Sequence, residues 1–438
     1  MPTKGESDQE MESKTETPPP LVAATASDAG EGEKKEEEIG SMFDQLVKHV
    51  KSSYMNALYA FVPIAFIAKI AGMGESIIFI ISFLALIPLA AALGDFTEDL
   101  ALRTNEAIGA LINVTFGNAT ELIISIMALR YGEFELIKNS LVGSVLGNML
   151  LVLGTAFVVG GLKINLMKFS ATAAQTYMAS LFFACFGFIV PTSFFSLNSD
   201  ASDPHFALAI SREISLLMVG MYCLYIFFQM KTHKSLFEGE AGEDDEDEEP
   251  QFSYLFALIA LAIVAVLISF LSDFMVESVS GAAEGLHLSK YFIGLVLIPI
   301  VGNVAEHASA IIMAAKGKLD IAVGIALGSS IQIGMFVMPL LVFIAWIFGQ
   351  PLNMNVTPFT CTCLFAGIVL TFSIVSGGTG NYLTGAKLLA AYVMLVIAFL
   401  NAPEVVPGHI AVEGMRTMAP TRAATGDIVT LPQVTMAA

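Results

Sequence analysis

At 438 residues, 55% apolar and only 14% charged, the chain is too hydrophobic for an ordinary soluble globule, in which about 25% of residues are charged. Much of its formal net charge of −19 sits in two polar stretches, and this acidic balance gives no sign of nucleic-acid binding. The apolar residues come instead in long uncharged blocks near the ~20 residues that a bilayer span needs.

Residues 1–42 open the chain with Glu, Ser, Thr, Pro and Gly, too little apolar matter to pack a core, and read as a disordered acidic cytosolic arm. They have no basic stretch followed by an apolar one, so no secretory signal is expected. Residues 43–75 read as a first transmembrane helix with a preceding amphipathic segment, and 76–230 as a first transmembrane repeat. Residues 231–253 form a cytosolic linker containing EGEAGEDDEDEE, 254–402 a second repeat, and 403–438 a C-terminal tail. Apolar runs predict eleven spans near 56–72, 76–94, 107–129, 136–160, 170–192, 209–230, 254–276, 291–314, 320–348, 357–375 and 384–402. With the N-terminus in the cytosol, most loop Lys and Arg (Lys48, Lys51, Arg103, Lys163 and Lys231 among them) fall on the cytosolic side. Arg130, Lys138, Arg212 and Lys290 fall opposite, as does the tail. Cys185, Cys223, Cys361 and Cys363 lie in apolar segments and read as small buried hydrophobes rather than a disulfide or metal site.

The two halves repeat one another. Gly117-Asn118-Ala119-Thr120-Glu121 is matched by Gly302-Asn303-Val304-Ala305-Glu306. In each half a glycine follows at the same interval (Gly132, Gly317), and then a Gly-Ser pair (Gly143-Ser144, Gly328-Ser329). The matched segments are the third and eighth spans, an odd number of crossings apart, so they run in opposite directions. The predicted fold is therefore an all-α polytopic membrane protein of about eleven transmembrane helices: one N-terminal helix plus two inverted five-helix repeats. Such repeats place a substrate site near the midplane, at broken helices.

Glu121 and Glu306 are the centre of that site. An ionised carboxylate inside an apolar span costs ~2.5 kcal/mol or more unless paired or hydrated. Asn118 and Asn303 lie three residues before them, on the same helix face. Gly117 and Gly302, with Pro299 upstream, permit a break that frees backbone carbonyls. Ser144 and Asn148 lie four apart on the following helix, and Ser329, Ser330 and Gln332 stand at the equivalent point of the second half. Carboxylates, amides and carbonyls together make an oxygen cage fit for a hard divalent cation, since Ca2+ takes about 6–8 oxygen ligands. His307 points some 100° away from Glu306 and is read as a proton relay or a hydrogen-bonded histidine, not a ligand. Glu98, near Asp95 and Asp99, and Glu277, near Asp273, are candidates for an access path that attracts cations. No cofactor is expected.

These motifs, GNATELI at 117–123, GNVAEH at 302–307, GSSIQIGMFVMP at 328–339 and SREISLLMVGMYCLYIFFQMKTH at 211–233, resemble the calcium/proton exchangers of the cation/calcium antiporter superfamily. The acidic segment between two groups of five spans resembles them too. The resemblance covers residues 55–402 and implies an antiporter of a vacuole or other acidic organelle, exchanging cytosolic Ca2+ for lumenal protons. It further implies that Glu121 and Glu306 bind the two ions alternately, beside Asn118, Asn303 and Gln332. Sodium-using relatives tend to carry a carboxylate where this chain has Gln332, which favours protons as the counter-ion. A sodium- or potassium-coupled exchanger of the same fold and a cation channel stand as alternatives. An enzyme is the weakest, since no HExxH, nucleophile elbow or P-loop occurs.

Overall fold

The computed structural model describes residues 41–104, 106–197, 204–237 and 250–402. The N-terminal arm as far as residue 40, the acidic run 238–249 and the tail from 403 lie outside the described residues. The first described helix, α1 (Met42–Ser52), is amphipathic and starts on a capping box between Ser41 and Asp44. It meets α2 (Tyr54–Ile70) at 111°. Then follow α3 (Glu75–Leu102), α4 (Glu106–Phe116), α5 (Ala119–Arg130), α6 (Phe134–Lys163), α7 (Ala171–Ser196) and α8 (Phe206–Thr232). After the linker come α9 (Tyr254–Glu277), α10 (Val279–Leu286), α11 (Lys290–Gly302), α12 (Val304–Ala315), α13 (Leu319–Ile347), α14 (Pro358–Val375) and α15 (Tyr382–Leu400). A two-residue antiparallel pairing, Met167–Lys168 with Thr379–Gly380, ties the start of α7 to the start of α15.

Among the described residues eight helices are long and apolar enough to cross a membrane, or ten if each of two bent pairs counts as one. The predicted count of eleven is not reached on that measure, for a physical reason. The third and eighth predicted spans are not continuous: α4 stops at Phe116 before α5 starts at Ala119, and α11 stops at Gly302 before α12 starts at Val304. Each break falls at the Gly-Asn of the repeated motif. Four full-length helices, α6 to α9, lie between the two broken segments, so these run in opposite directions through the bundle.

The glycine shared by the repeats proves to be the same turn used twice. Gly132 (φ 72°) and Gly317 (φ 84°) both adopt left-handed backbone, which only glycine takes without penalty. Each closes a helix in the same way, with Glu133 N–H donating to Ala128 O and Lys318 N–H to Met313 O, both at 2.9 Å. Farther on, α6 and α13 each contain one π-helical turn, at Gly147–Val152 and Ile333–Val337. Such turns recur at functional sites because they widen the helix and free its hydrogen-bonding groups.

Close crossings rest on missing side chains, as expected where lipid supplies no hydrophobic drive between helices. A Cβ on Gly143 of α6 would run into the Leu295 carbonyl and Pro299 of α11. A Cβ on Gly385 of α15 would meet the Gly154 and Val158 backbone of α6. Cys185, Cys361 and Cys363 are buried and unbridged as read from the sequence, whereas Cys223 is exposed, on the outward face of α8.

α3 and α9 pack antiparallel, and their junction is locked at one end by a buried carboxylate. Asp99 accepts the backbone N–H groups of Gln251 and Phe252, the latter at 3.1 Å, and the Arg103 Nε–H at 3.2 Å. Arg103 also donates to the Phe252 carbonyl. Asp99→Ala leaves the Arg103 Nε–H and two backbone N–H groups without their acceptor and removes the buried counter-charge, and should destabilise the fold by roughly 3 kcal/mol. Thermal melts of the detergent-solubilised protein check this: a melting temperature equal to wild type would show that the lock carries no stability.

Candidate ion-binding site

The first turns of α5 and α12 carry Glu121 and Glu306, both buried, at 5% and 9% exposure. Because each helix begins at its break, both carboxylates sit at a positive helix end. The two acids come from opposite halves of the chain yet lie within electrostatic range of each other. The Glu121 carboxylate rests against Gly302, at the second break: a Cβ there would stand 2.9 Å from both its Cγ and its Oε1. The fifth residue of one motif thus packs on the first residue of the other.

Ser329, the hub of the polar network, is on α13. Its Oγ–H is shared between Asn118 Oδ1 at 3.0 Å and Glu306 Oε1 at 3.4 Å, while Asn148 Nδ2 donates to Ser329 Oγ at 3.0 Å. On the other side Asn303 Nδ2 donates to the backbone carbonyl of Ser144 at 3.1 Å. The contact Ser144 makes is therefore through its main chain rather than the hydroxyl that its spacing suggested. A Cβ on Gly147, at the π-turn of α6, would stand 3.0 Å from Asn303 Nδ2, so the glycine leaves room for that amide. Gln332 sits half-buried at the last residue before the α13 π-turn, one helical turn beyond Ser329.

The Asn148 and Asn303 amide nitrogens both donate, but most of the oxygens have no donor. Glu121 Oε1 and Oε2, Glu306 Oε2, Asn148 Oδ1 and Asn303 Oδ1 are all buried without a hydrogen-bond partner. Buried polar atoms are normally satisfied, so five orphan acceptors in one network call for an explanation. Carboxylate and amide oxygens only accept, so a cation or a hydrogen-bond donor is what such a set can take, and the carboxylates can also take protons. Among the described residues no group of three or more His, Cys, Asp or Glu side chains is placed to hold a metal ion; the network brings together two carboxylates with amides and a backbone carbonyl.

The other candidates are placed apart from it. His307 turns to the far side of α12 and pairs with Thr155 at 2.9 Å, a partner that nothing in the sequence indicated. Glu98 lines a cavity of about 460 Å3 with Asp95, Asp99 and Lys316, near the Asp99 lock. Glu277 lies at the opposite end of α9, ion-paired with Lys69 at 2.7 Å and accepting from Tyr131 at 3.2 Å. Burial, then the Asp273 and Glu277 carboxylates, push the Tyr131 hydroxyl up to about 12, so it remains a donor throughout the physiological range. Glu98 and Glu277 therefore lie at opposite ends of the bundle.

Comparison with known proteins agrees with this architecture. The family described as sodium/calcium exchanger protein matches the chain twice, at residues 75–231 and 256–401. The vacuolar calcium ion transporter of Schizosaccharomyces pombe is 39% identical over 81% of this chain and 86% of its own length. A Ca2+/H+ antiporter of Synechocystis is 35% identical over 81% of this chain and 99% of its own. Among solved structures, that of native YfkE superposes with a TM-score of 0.68 at 36% identity, covering 79% of this chain and 98% of that one.

Proposed function

The chain belongs to the sodium/calcium exchanger protein family, as a multi-pass membrane protein of its calcium/proton exchanger group, and from that premise we propose that Glu121 and Glu306 carry Ca2+ and protons in alternation. The observation that carries this reading is the acceptor-only character of the buried pair: four carboxylate oxygens, three of them orphaned, at two helix breaks facing each other. One Ca2+ neutralises two carboxylates, and so do protons. Empty and ionised, the pair would hold two like charges in a region of low dielectric, a state expensive enough to block the crossing. The protein therefore turns over loaded with one ion or the other, which is the requirement for antiport.

In this scheme the Asn118, Asn148 and Asn303 amides and the Ser144 carbonyl complete the oxygen shell, and Ser329 orients them by donating to whichever acceptor the cation leaves free. Gln332, one turn on, is a neutral amide where a further charge would favour a second cation. The halves rock about the fixed site, and the glycine contacts at Gly143 and Gly302 are the surfaces that must slide. The names of the relatives support a vacuole or other acidic organelle as the location, and the Lys and Arg distribution supports the N-terminus and acidic linker on the cytosolic side, from which Ca2+ would be taken. Lumenal acid then discharges Ca2+ by protonating the pair, and cytosolic pH restores it.

The test is 45Ca2+ uptake into proteoliposomes with an acidic interior. Uptake should cease when the pH gradient is collapsed; uptake that survives collapse and follows a sodium gradient would move the counter-ion and overturn the proton half of the proposal. Because protons and Ca2+ compete, half-saturating Ca2+ on the uptake side should rise as the pH there falls. Ser329→Ala should raise it too, by several-fold, since one neutral hydrogen-bonding hub is worth about 1 kcal/mol net. An unchanged Ca2+ titration for that variant would remove Ser329 from the site.

A further inference from the structure

The amphipathic α1 serves no part of the ion site, yet it is fixed in place with care. Its inward residues are Gln45, whose Oε1 accepts the Ser253 N–H at 2.8 Å, and His49, whose ring pairs with Tyr59 OH at 3.0 Å and lies against Phe96 and Phe252. It is thereby pinned to α2, α3 and the start of α9, and at 111° to α2 it lies across the end of the bundle rather than along it. Met42, Leu46 and Val50, spaced four apart, form an apolar stripe that is left exposed. They roof a groove of about 440 Å3 whose floor is made by α2, α3 and α9, with Val62, Leu89 and Ile263 among its residues. The His49 and Tyr59 side chains bring its only polar groups. Its walls are helices that form the membrane bundle, so the groove opens at the edge of the bilayer, where the surrounding medium is acyl chain.

Helices of this kind lie in the membrane interface with basic residues towards the headgroups. On α1 those residues are Lys48 and Lys51, both exposed and on the face opposite the apolar stripe. Lys48 also lines the acidic cavity of Asp95, Glu98 and Asp99, which leaves Lys51 as the cation available to a headgroup. We propose that the groove beneath α1 holds one acyl chain of an anionic phospholipid, drawn from the leaflet on the side where residues 250–253 enter the bundle, with its phosphate beside Lys51. The lipid would act as a wedge that completes the packing of α1 against both halves.

Native mass spectrometry of the full-length protein tests this, after reconstitution in equal parts phosphatidylcholine and phosphatidylserine and mild extraction. One phosphatidylserine should be retained per chain, preferred about fivefold over phosphatidylcholine, the scale of one lysine near a lipid surface. Ala260→Trp, which fills the groove floor, should abolish retention, and Lys51→Glu should abolish the headgroup preference while leaving a chain bound. Leu46→Gln, on the exposed roof and outside the packed core, should weaken retention in the same direction and covers the case in which the tryptophan variant does not fold. Retention that is absent, or equal for the two lipids and indifferent to Leu46→Gln, would mean bulk lipid contact only and would overturn the proposal.

Discussion

Glu306→Gln should abolish Ca2+ transport while leaving a protein that folds at least as well as wild type, and Glu121→Gln should do the same. Each replacement keeps the shape of the side chain and removes one of two charges that balance the cation. Breaking one member of a buried ionic arrangement costs about 3–5 kcal/mol, a loss of two to three and a half decades at 1.4 kcal/mol per decade. Stability should move the other way. Glu121 has no hydrogen-bond partner on either oxygen and faces a second carboxylate, so without a cation to balance the pair a neutral amide relieves repulsion without leaving a cavity. Two measurements separate these effects. Proteoliposome uptake should fall to background, and the rise in melting temperature that Ca2+ gives the wild type by binding the native state should vanish. Proton-driven uptake near wild-type rates in a well-expressed Glu306→Gln protein would refute the two-carboxylate scheme.

How far the sequence discloses this site depends on what kind of information each part needs. The pair Glu121 and Glu306 is legible because an acid inside an apolar block is costly, and its repetition at one spacing marks it twice. Gly132 and Gly317 are legible on the same ground, and the structure gives the reason: both take left-handed backbone to turn one helix into the next. Contacts between helices are another matter. Periodicity tells which face of α6 carries Ser144 and Asn148, but not that Ser144 offers its carbonyl, nor that Asn148 meets Ser329 from the other half. Those pairings lie more than 150 residues apart in sequence and are fixed by how closely the backbones approach, which depends on Gly143 and Gly147. The count of eleven spans is not confirmed by helix length, because of the same feature that made the site visible. A run of apolar residues reads as one helix, although Gly-Asn inside it ends one helix and begins another. Glu98 and Glu277 looked alike as acids at helix ends, but α3 and α9 are antiparallel at their junction, so the two ends face opposite ways.

Gly302→Ala should cost the protein its affinity for Ca2+ without replacing any ligand. Gly302 ends α11, and its φ is not left-handed, so backbone freedom is not the reason for glycine here. The reason is space. An added Cβ would stand 2.9 Å from Glu121 Cγ and Oε1 and 3.0 Å from Cδ, closer than carbon and oxygen atoms pack, so the carboxylate must be displaced. Overpacking by a single methyl in a close-packed interior costs about 1–3 kcal/mol. Here the displaced group is itself a ligand, so the cost falls on cation binding: a rise in half-saturating Ca2+ of about tenfold or more. The same contact joins the two repeats, which makes a second consequence testable. If the halves must slide past each other at Gly302, the alanine variant should also lose maximal rate at saturating Ca2+, because its methyl jams the surface in one of the two states. Gly328→Ala provides the comparison, since a Cβ at that glycine, within the repeated Gly-Ser pair of α13, meets nothing within 4 Å. Gly302→Ala impaired in both affinity and rate, with Gly328→Ala near wild type, would place the moving contact at the break beside Glu121. Equal behaviour of the two variants would mean that the site tolerates the methyl by shifting α11, and that the halves slide elsewhere.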